Sequence, residues 1–208
     1  MGIQAQGLRE GGVRFLSNDI LLLIVDDFES GDVSKWDVVN DLSATTGRVF
    51  SGLFSGKCDN AQGGSPQAYI IPDRIEGGSQ PSGWQYYWQG TSNSFGAGMR
   101  LLNSDGNVEL GLASNNPQWK IDDGNGIETV FGGDGNDRWV RFSVGFNWQQ
   151  GTFSVDLEDT QTGSTYTDSG RPLKEGKDIE RVQIDDYSGN WQDGGSIDNW
   201  FDEITLSF

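Results

Sequence analysis

Histidine is absent from the 208-residue chain, and cysteine occurs once, at Cys58. The first absence removes the usual general base near neutral pH and the commonest transition-metal ligand. The second excludes an intrachain disulfide and leaves Cys58 the role of a buried small hydrophobe. Lys and Arg number 14 against 31 Asp and Glu, a formal net charge of −17. So negative a chain is unsuited to nucleic acid, whose phosphate backbone calls for a basic surface. The longest apolar run, residues 20–25, falls far short of the ~20 residues of a membrane-spanning helix, so no membrane insertion is expected; the run fits a strand buried on both faces. No helical period of useful length, no repeat at fixed spacing and no interdomain linker stands out, and proline is scarce at 5 residues. The start, Met1-Gly-Ile-Gln-Ala-Gln6, lacks the basic and apolar regions of a secretory signal. A chain complete as written would therefore be made and folded in the cytoplasm.

Glycine, by contrast, is abundant at 31 residues and spread along the chain, as turns and bulges between many short strands require. Period-2 alternation supplies the strands. The clearest hairpin aligns Val140, Phe142, Val144, Phe146 and Trp148 on one face, with Trp139, Arg141, Ser143 and Asn147 opposite. It turns at Gln149-Gln-Gly151 and returns through Phe153, Val155 and Leu157. In the most aromatic stretch Trp84, Tyr86 and Trp88 share a face, with Gln85 and Tyr87 on the other. Further strands are expected over 48–54, 67–71, 95–102, 108–112, 179–187 and twice within 118–131. The strands at 20–28 and 199–208 are expected to lie side by side and close their sheet, which suppresses a sticky edge. Residues 1–19 stand apart as an extended N-terminal arm punctuated by Gly7, Gly11 and Gly12. Residues 20–208 form one domain.

Two terminal motifs carry a family resemblance. Asp26-Asp-Phe-Glu-Ser-Gly-Asp-Val-Ser-Lys-Trp36 is followed by Ser51-Gly-Leu-Phe-Ser-Gly-Lys57, and the chain closes on Trp200-Phe-Asp-Glu-Ile-Thr-Leu206. With the hairpin above, this resembles the laminin-G-like branch of the concanavalin A-like jelly rolls, over about residues 26–208. The resemblance implies an all-β, antiparallel β-sandwich. It speaks to fold more than to function, because that fold hosts lectins, glycosidases, adhesins and inert structural modules.

Four constellations are candidates for chemistry. The Glu-x-Asp-x-x-Glu strand of retaining glucanases of this fold, which sets two carboxylates into one cleft, is missing, so no catalytic residue is assigned. Gly132-Gly-Asp-Gly-Asn-Asp-Arg-Trp-Val140 matches one copy of a Ca²⁺-binding nonapeptide, but a lone copy reads better as a tight loop. Asp27, Glu29 and Asp202, with Asp26 and Glu203, approach one another if the terminal strands are neighbours. Such carboxylates suit a structural Ca²⁺, with simple solvation as the alternative; no other cofactor is implied. Finally, Trp84, Tyr86, Trp88, Trp119 and Trp191 could stack on sugar rings, with Trp119 and Trp191, among polar and Gly-rich neighbours, expected at the surface and at least half of the other three in the core.

These features suggest a non-enzymatic structural and adhesion protein of an assembled particle: a virion turret, decoration or tail-fibre protein of a halophilic virus, its lectin-like domain binding host-surface glycans. A cell-surface or extracellular carbohydrate-binding module of a halophile is the alternative, and a glycoside hydrolase or polysaccharide lyase a third. Ile3, Leu8, Val13, Phe15 and Leu16 on the arm, with Arg9 and Arg14, suggest docking on a neighbouring acidic subunit, giving a homo-oligomer or attachment to other particle subunits. The charge excess suggests life in brine, since molar salt shortens the Debye length to ~3 Å and screens self-repulsion. The thermal midpoint should accordingly fall as molar NaCl is dialysed into dilute buffer. A midpoint that stays flat or rises as salt is withdrawn contradicts a brine-adapted surface.

Overall fold

Alternating apolar positions along the chain become two antiparallel sheets packed face to face. The structure is a computed structural model that describes residues 13–16, 20–60, 68–90, 95–115, 118–132, 137–186 and 197–208. The first sheet runs, in spatial order, β1 (Val13–Leu16), β2 (Ile20–Asp26), β16 (Ile197–Ser207), β7 (Gly83–Gly90), β12 (Val140–Asn147), β13 (Thr152–Asp159) and β14 (Thr165–Pro172). β5 (Ser55–Asn60) also pairs with β16, and β4 (Leu42–Thr45) pairs with β5. The second sheet runs β11 (Gly126–Gly132), β10 (Gln118–Asp123), β9 (Val108–Asn115), β8 (Phe95–Leu102), β15 (Arg181–Asp186), β6 (Ala68–Ile70) and β3 (Val38–Val39). No helix occurs among the described residues. The all-β sandwich of jelly-roll type expected from the sequence is the fold observed.

The terminal strands are neighbours, with Leu23 opposite Leu206 and Asp26 opposite Ile204. They do not close the sheet, however. Both lie in its interior, and Val13–Leu16, counted in the arm, adds an edge strand outside β2. The remaining arm positions, 1–12 and 17–19, lie outside the described residues. β16 is the pivot of the first sheet. Its first half pairs with β5 and its second half with β2, while β7 runs along its other side. The expected strand over 48–54 is instead a loop between β4 and β5.

The core lies between the sheets. From the first come Trp84, Tyr86, Trp88, Phe142, Phe153 and Phe201; from the second, Met99, Leu101, Leu110, Leu112, Trp119 and Ile121. Tyr86 stacks on Phe142 at 4.8 Å, and Trp119 meets Phe142 at 5.7 Å from the opposite sheet. The Tyr86 hydroxyl donates to the Leu112 carbonyl at 3.2 Å, so even this core tyrosine has a partner across the sandwich. Cys58 is free and buried as expected, and burial pushes its thiol up, which keeps it inert.

At one margin the sheets are joined by a cation. Arg171 on β14 is buried, and its guanidinium meets Asp123 of β10 at 2.7 Å, Glu128 of β11 at 2.8 Å and Asp168 at 3.1 Å. The Gly124 N–H donates to the Pro172 carbonyl beside it at 3.0 Å. Removing one member of a buried pair strands the other. R171M should therefore lower unfolding stability by ~3–5 kcal/mol in urea titrations. Adding D123N to that variant should recover part of the loss; a double variant as weak as R171M would show that the stranded Asp123 charge is not the cause.

Candidate functional site

The motif carboxylates hold a loop. Asp26, fully buried, accepts the Phe28 N–H at 2.9 Å, the Trp36 indole N–H at 2.7 Å and the Lys35 ammonium at 3.1 Å. Glu29 Oε1 accepts the N–H groups of Leu53 and Phe54 at 2.8 and 2.9 Å. Asp202, also fully buried, takes Phe50 and Ser51 N–H on Oδ2 at 3.0 and 3.1 Å and Glu203 N–H on Oδ1 at 2.8 Å. Ser55 Oγ closes the loop base by donating to the Arg48 carbonyl. Gly52 takes φ +73° at the turn, and a Cβ there would meet the Glu29 carboxylate at 2.3 Å. Glu203, at φ 50°, lies where the β16 register shifts against β7.

Asp27, Glu29 and Asp202, the expected Ca²⁺ ligands, are not gathered into one group by this arrangement. Among the described residues Asp27 accepts the nearby Glu29 N–H, at 3.2 Å, and each of the other two carboxylates is turned to its own set of backbone donors. Among the described residues no group of three or more His, Cys, Asp or Glu is placed to hold a metal. Of the nonapeptide match, residues 133–136 lie outside the described residues.

The loop so fixed lies across the outward face of the first sheet. That face is assembled by the register. Trp200 sits opposite Lys57 and Gln89; Tyr87 lies between Asp202 and Arg141, and Arg141 is opposite Glu158. One step along, Gln85 lies between Thr205 and Ser143, and Ser143 is opposite Asp156. Phe50, from the loop, stacks on Tyr87 at 3.7 Å and meets Trp139 edge-on at 5.8 Å. Arg48 lies over the Trp200 ring at 4.5 Å and pairs with Asp137. Arg141 bridges Asp156 at 3.2 Å and Glu158 at 2.9 Å. Gly83 and Gly145 form a register pair at the far end, where neither adds a side chain to the face. Burial raises the Tyr87 phenol above its usual 10, so it stays a neutral O–H at physiological pH.

The aromatic residues singled out from the sequence lie elsewhere. Trp84, Tyr86, Trp88 and Trp119 are 1–3 % exposed and sit in the core. Their rings are covered by the opposite sheet and offer no face to a sugar. The expected exposure of Trp119 is thereby corrected: its neighbours in sequence are polar, but its strand parity points it inward beside Ile121. Trp191 lies outside the described residues. The aromatic residues that do meet on the outward face are Tyr87, Trp139, Trp200 and Phe50. The first two stand on the faces opposite the apolar sets at 84–88 and 140–148, so the same alternation that marks the core also marks them. Phe50 and Arg48 had no such signal.

No protein-family model matches the chain, and no curated protein matches it. Solved structures do. A sialidase superimposes with a TM-score of 0.57 at 9% identity, over 86% of this chain and 18% of its own, so the present chain spans under a fifth of that protein. Basic winged bean lectin in complex with Tn-antigen gives 0.53 at 12% identity, over 91% of this chain and 98% of the lectin. A glycoside hydrolase family 43 protein from Bacillus licheniformis gives 0.56 at 10% identity, over 95% of this chain and 40% of its own. The fold is thus the concanavalin A-like sandwich that the terminal motifs resemble, a scaffold on which binding proteins and hydrolases both occur.

Asp202 gives the site a dependence on pH. Burial pushes its carboxyl from the usual 3.8 up to about 7, against the pull of its three N–H donors. The fold therefore favours the protonated form. Its contribution to stability is full below about pH 4 and is lost as the pH rises to about 7. Asn, neutral throughout, serves as the reference. The stability of the native protein relative to D202N should decline between pH 4 and 8 in parallel denaturant titrations. A difference that stays constant across that range would show that Asp202 does not titrate there.

Proposed function

We propose that this domain is a non-enzymatic glycan-binding module and that the outward face of the first sheet is its binding surface. The observation that carries the reading is one face on which the exposed Phe50 and half-buried Tyr87 rings, backed by the buried Trp139 and Trp200, meet the amides of Gln85 and Gln89, Ser143 and the Arg141 ion pairs. Aromatic rings take the C–H faces of pyranoses, and amides, hydroxyls and carboxylates bond the sugar hydroxyls. The lectin complex with Tn-antigen is in keeping with this use of the fold. The carboxylates of the face support a binding role over hydrolysis. Glycosidases aim two carboxyl groups at one bond, whereas Asp202 is turned to loop amides, and Asp156 and Glu158 are held by Arg141. The acid excess supports a brine setting, and with it the finer reading of an adhesion protein on the particle of a halophilic virus, engaging host-surface glycans; incorporation of the purified chain into particles would test that setting.

Y87A removes the ring at the centre of the face and leaves the core untouched. It should weaken binding to the glycans that the native protein selects on a glycan array by about tenfold, ~1.4 kcal/mol, with little change in thermal midpoint. F142A, in the core, should instead cost ~3–5 kcal/mol of stability. Unchanged glycan affinity in folded Y87A would remove the outward face as the site.

A further inference from the structure

Three buried polar atoms of the outward face have no partner among the described residues: Arg141 Nε, Gln89 Oε1 and Trp200 Nε1. The last two, an acceptor and a donor, belong to residues that are each 6% exposed. They are register partners on β7 and β16, so their side chains leave the sheet side by side. Buried polar groups are ordinarily satisfied, as at Glu109, fully buried, which accepts four N–H bonds from Asn103, Glu175, Gly176 and Lys177; the core Trp84 Nε1 is also unpaired, but its register partners, Val144 and Leu206, set no acceptor beside it. An unpaired donor and an unpaired acceptor set together mark a place where a ligand would complete the bonding.

The place is covered by an ion pair. The Arg48 guanidinium rests on the Trp200 ring at 4.5 Å, with the Lys57 ammonium at 5.6 Å. Arg48 pairs with Asp137, and the Asp137 N–H donates at 2.9 Å to the carbonyl of Gly90, the residue after Gln89. The pair thus reaches from the Trp200 ring to the end of the strand that carries Gln89. Its side chains are 33% and 59% exposed, so solvent can take it apart. Asp137 holds φ 57°, a left-handed conformation that non-glycine residues adopt at a cost and that often accompanies function.

We infer that Gln89 and Trp200 form an end subsite for one neutral pyranose, closed in this structure by the Arg48–Asp137 ion pair. The inference rests on the outward-face reading above. A sugar hydroxyl donates to Gln89 Oε1, a second sugar oxygen accepts from Trp200 Nε1, and the C–H face of the ring takes the position that Arg48 holds over the indole. A donor, an acceptor and an aromatic plane match a neutral sugar. An acidic one finds no unspent cation here: Arg48, Lys57 and Arg141 are all paired with carboxylates, and the chain carries a net −17.

The test uses the full chain in molar salt, titrated with neutral disaccharides and hexasaccharides of glucose, galactose and mannose, and with sialylated and sulfated oligosaccharides. W200F leaves a smaller aromatic ring and deletes the donor; Q89M deletes the amide with its acceptor; R48Q removes the cover. W200F and Q89M should each weaken the neutral hexasaccharide five- to tenfold and the disaccharide by a smaller factor, whereas Y87A should weaken both alike. Q89M, of nearly equal volume, should leave the thermal midpoint unchanged, and W200F should lower it only by what the smaller buried ring accounts for. R48Q should bind the hexasaccharide more tightly. If Y87A weakens binding but W200F and Q89M bind as the native protein does, or both lose stability, the subsite is wrong and the outward-face reading stands. Affinity unaltered by Y87A overturns both, as does selection of acidic sugars alone.

Discussion

A loop with no strand to pair with must still satisfy its backbone N–H groups, and in this protein carboxylates do that work. Asp26, Glu29, Glu109 and Asp202 each accept two or more N–H bonds, and three of the four are fully buried. Such bonds satisfy donor and acceptor together, and a buried acid without them would be costly. The path of residues 46–54 over the outward face follows from this constraint. Glu29 and Asp202 come from opposite ends of the chain and grip neighbouring stretches of one loop. The position of Phe50 over Tyr87 is therefore set by acids that touch neither ring.

That arrangement changes the meaning of the acid excess. A count of 31 Asp and Glu reads from composition as a solvated, salt-adapted surface. Part of it is internal bonding instead: Asp159 accepts the N–H groups of Gln161 and Thr162 and an Arg138 contact, and Asp178 accepts the N–H and hydroxyl of Ser104. Because each carboxylate is turned to its own donors, Asp27, Glu29 and Asp202 along two adjoining strands are not gathered into one group.

Strand parity was legible in the sequence, and it carried most of the fold. The β12–β13 hairpin pairs Phe142 with Leu157 and Val144 with Val155, as alternation requires, and β2 lies beside β16. Parity also separated Trp84, Tyr86 and Trp88 from Gln85 and Tyr87; the candidate site lies with the second set. Aromatic density drew attention to the first, yet in a two-sheet sandwich the densest aromatic face is the one the core requires. What alternation could not supply was the loop at 46–54. Arg48-Val-Phe-Ser-Gly-Leu-Phe54 has strand-like composition, and the carboxylates that override it stand some 20 and 150 residues away. Pairings at that separation leave no local trace.

The position of β16 has a bearing on how the chain acquires its shape. This strand touches β2, β5 and β7, and so joins segments from the first half of the domain that have no direct pairing with one another. It is also the last strand of the domain to leave the ribosome. Until it emerges, β2 and β5 lack the surface that aligns them, and Phe50 and Ser51 lack Asp202. Nascent chains that stop short of β16 should therefore hold exposed strand edges and depend on chaperones, and completion of the first sheet should be a late, slow event in the folding of the domain.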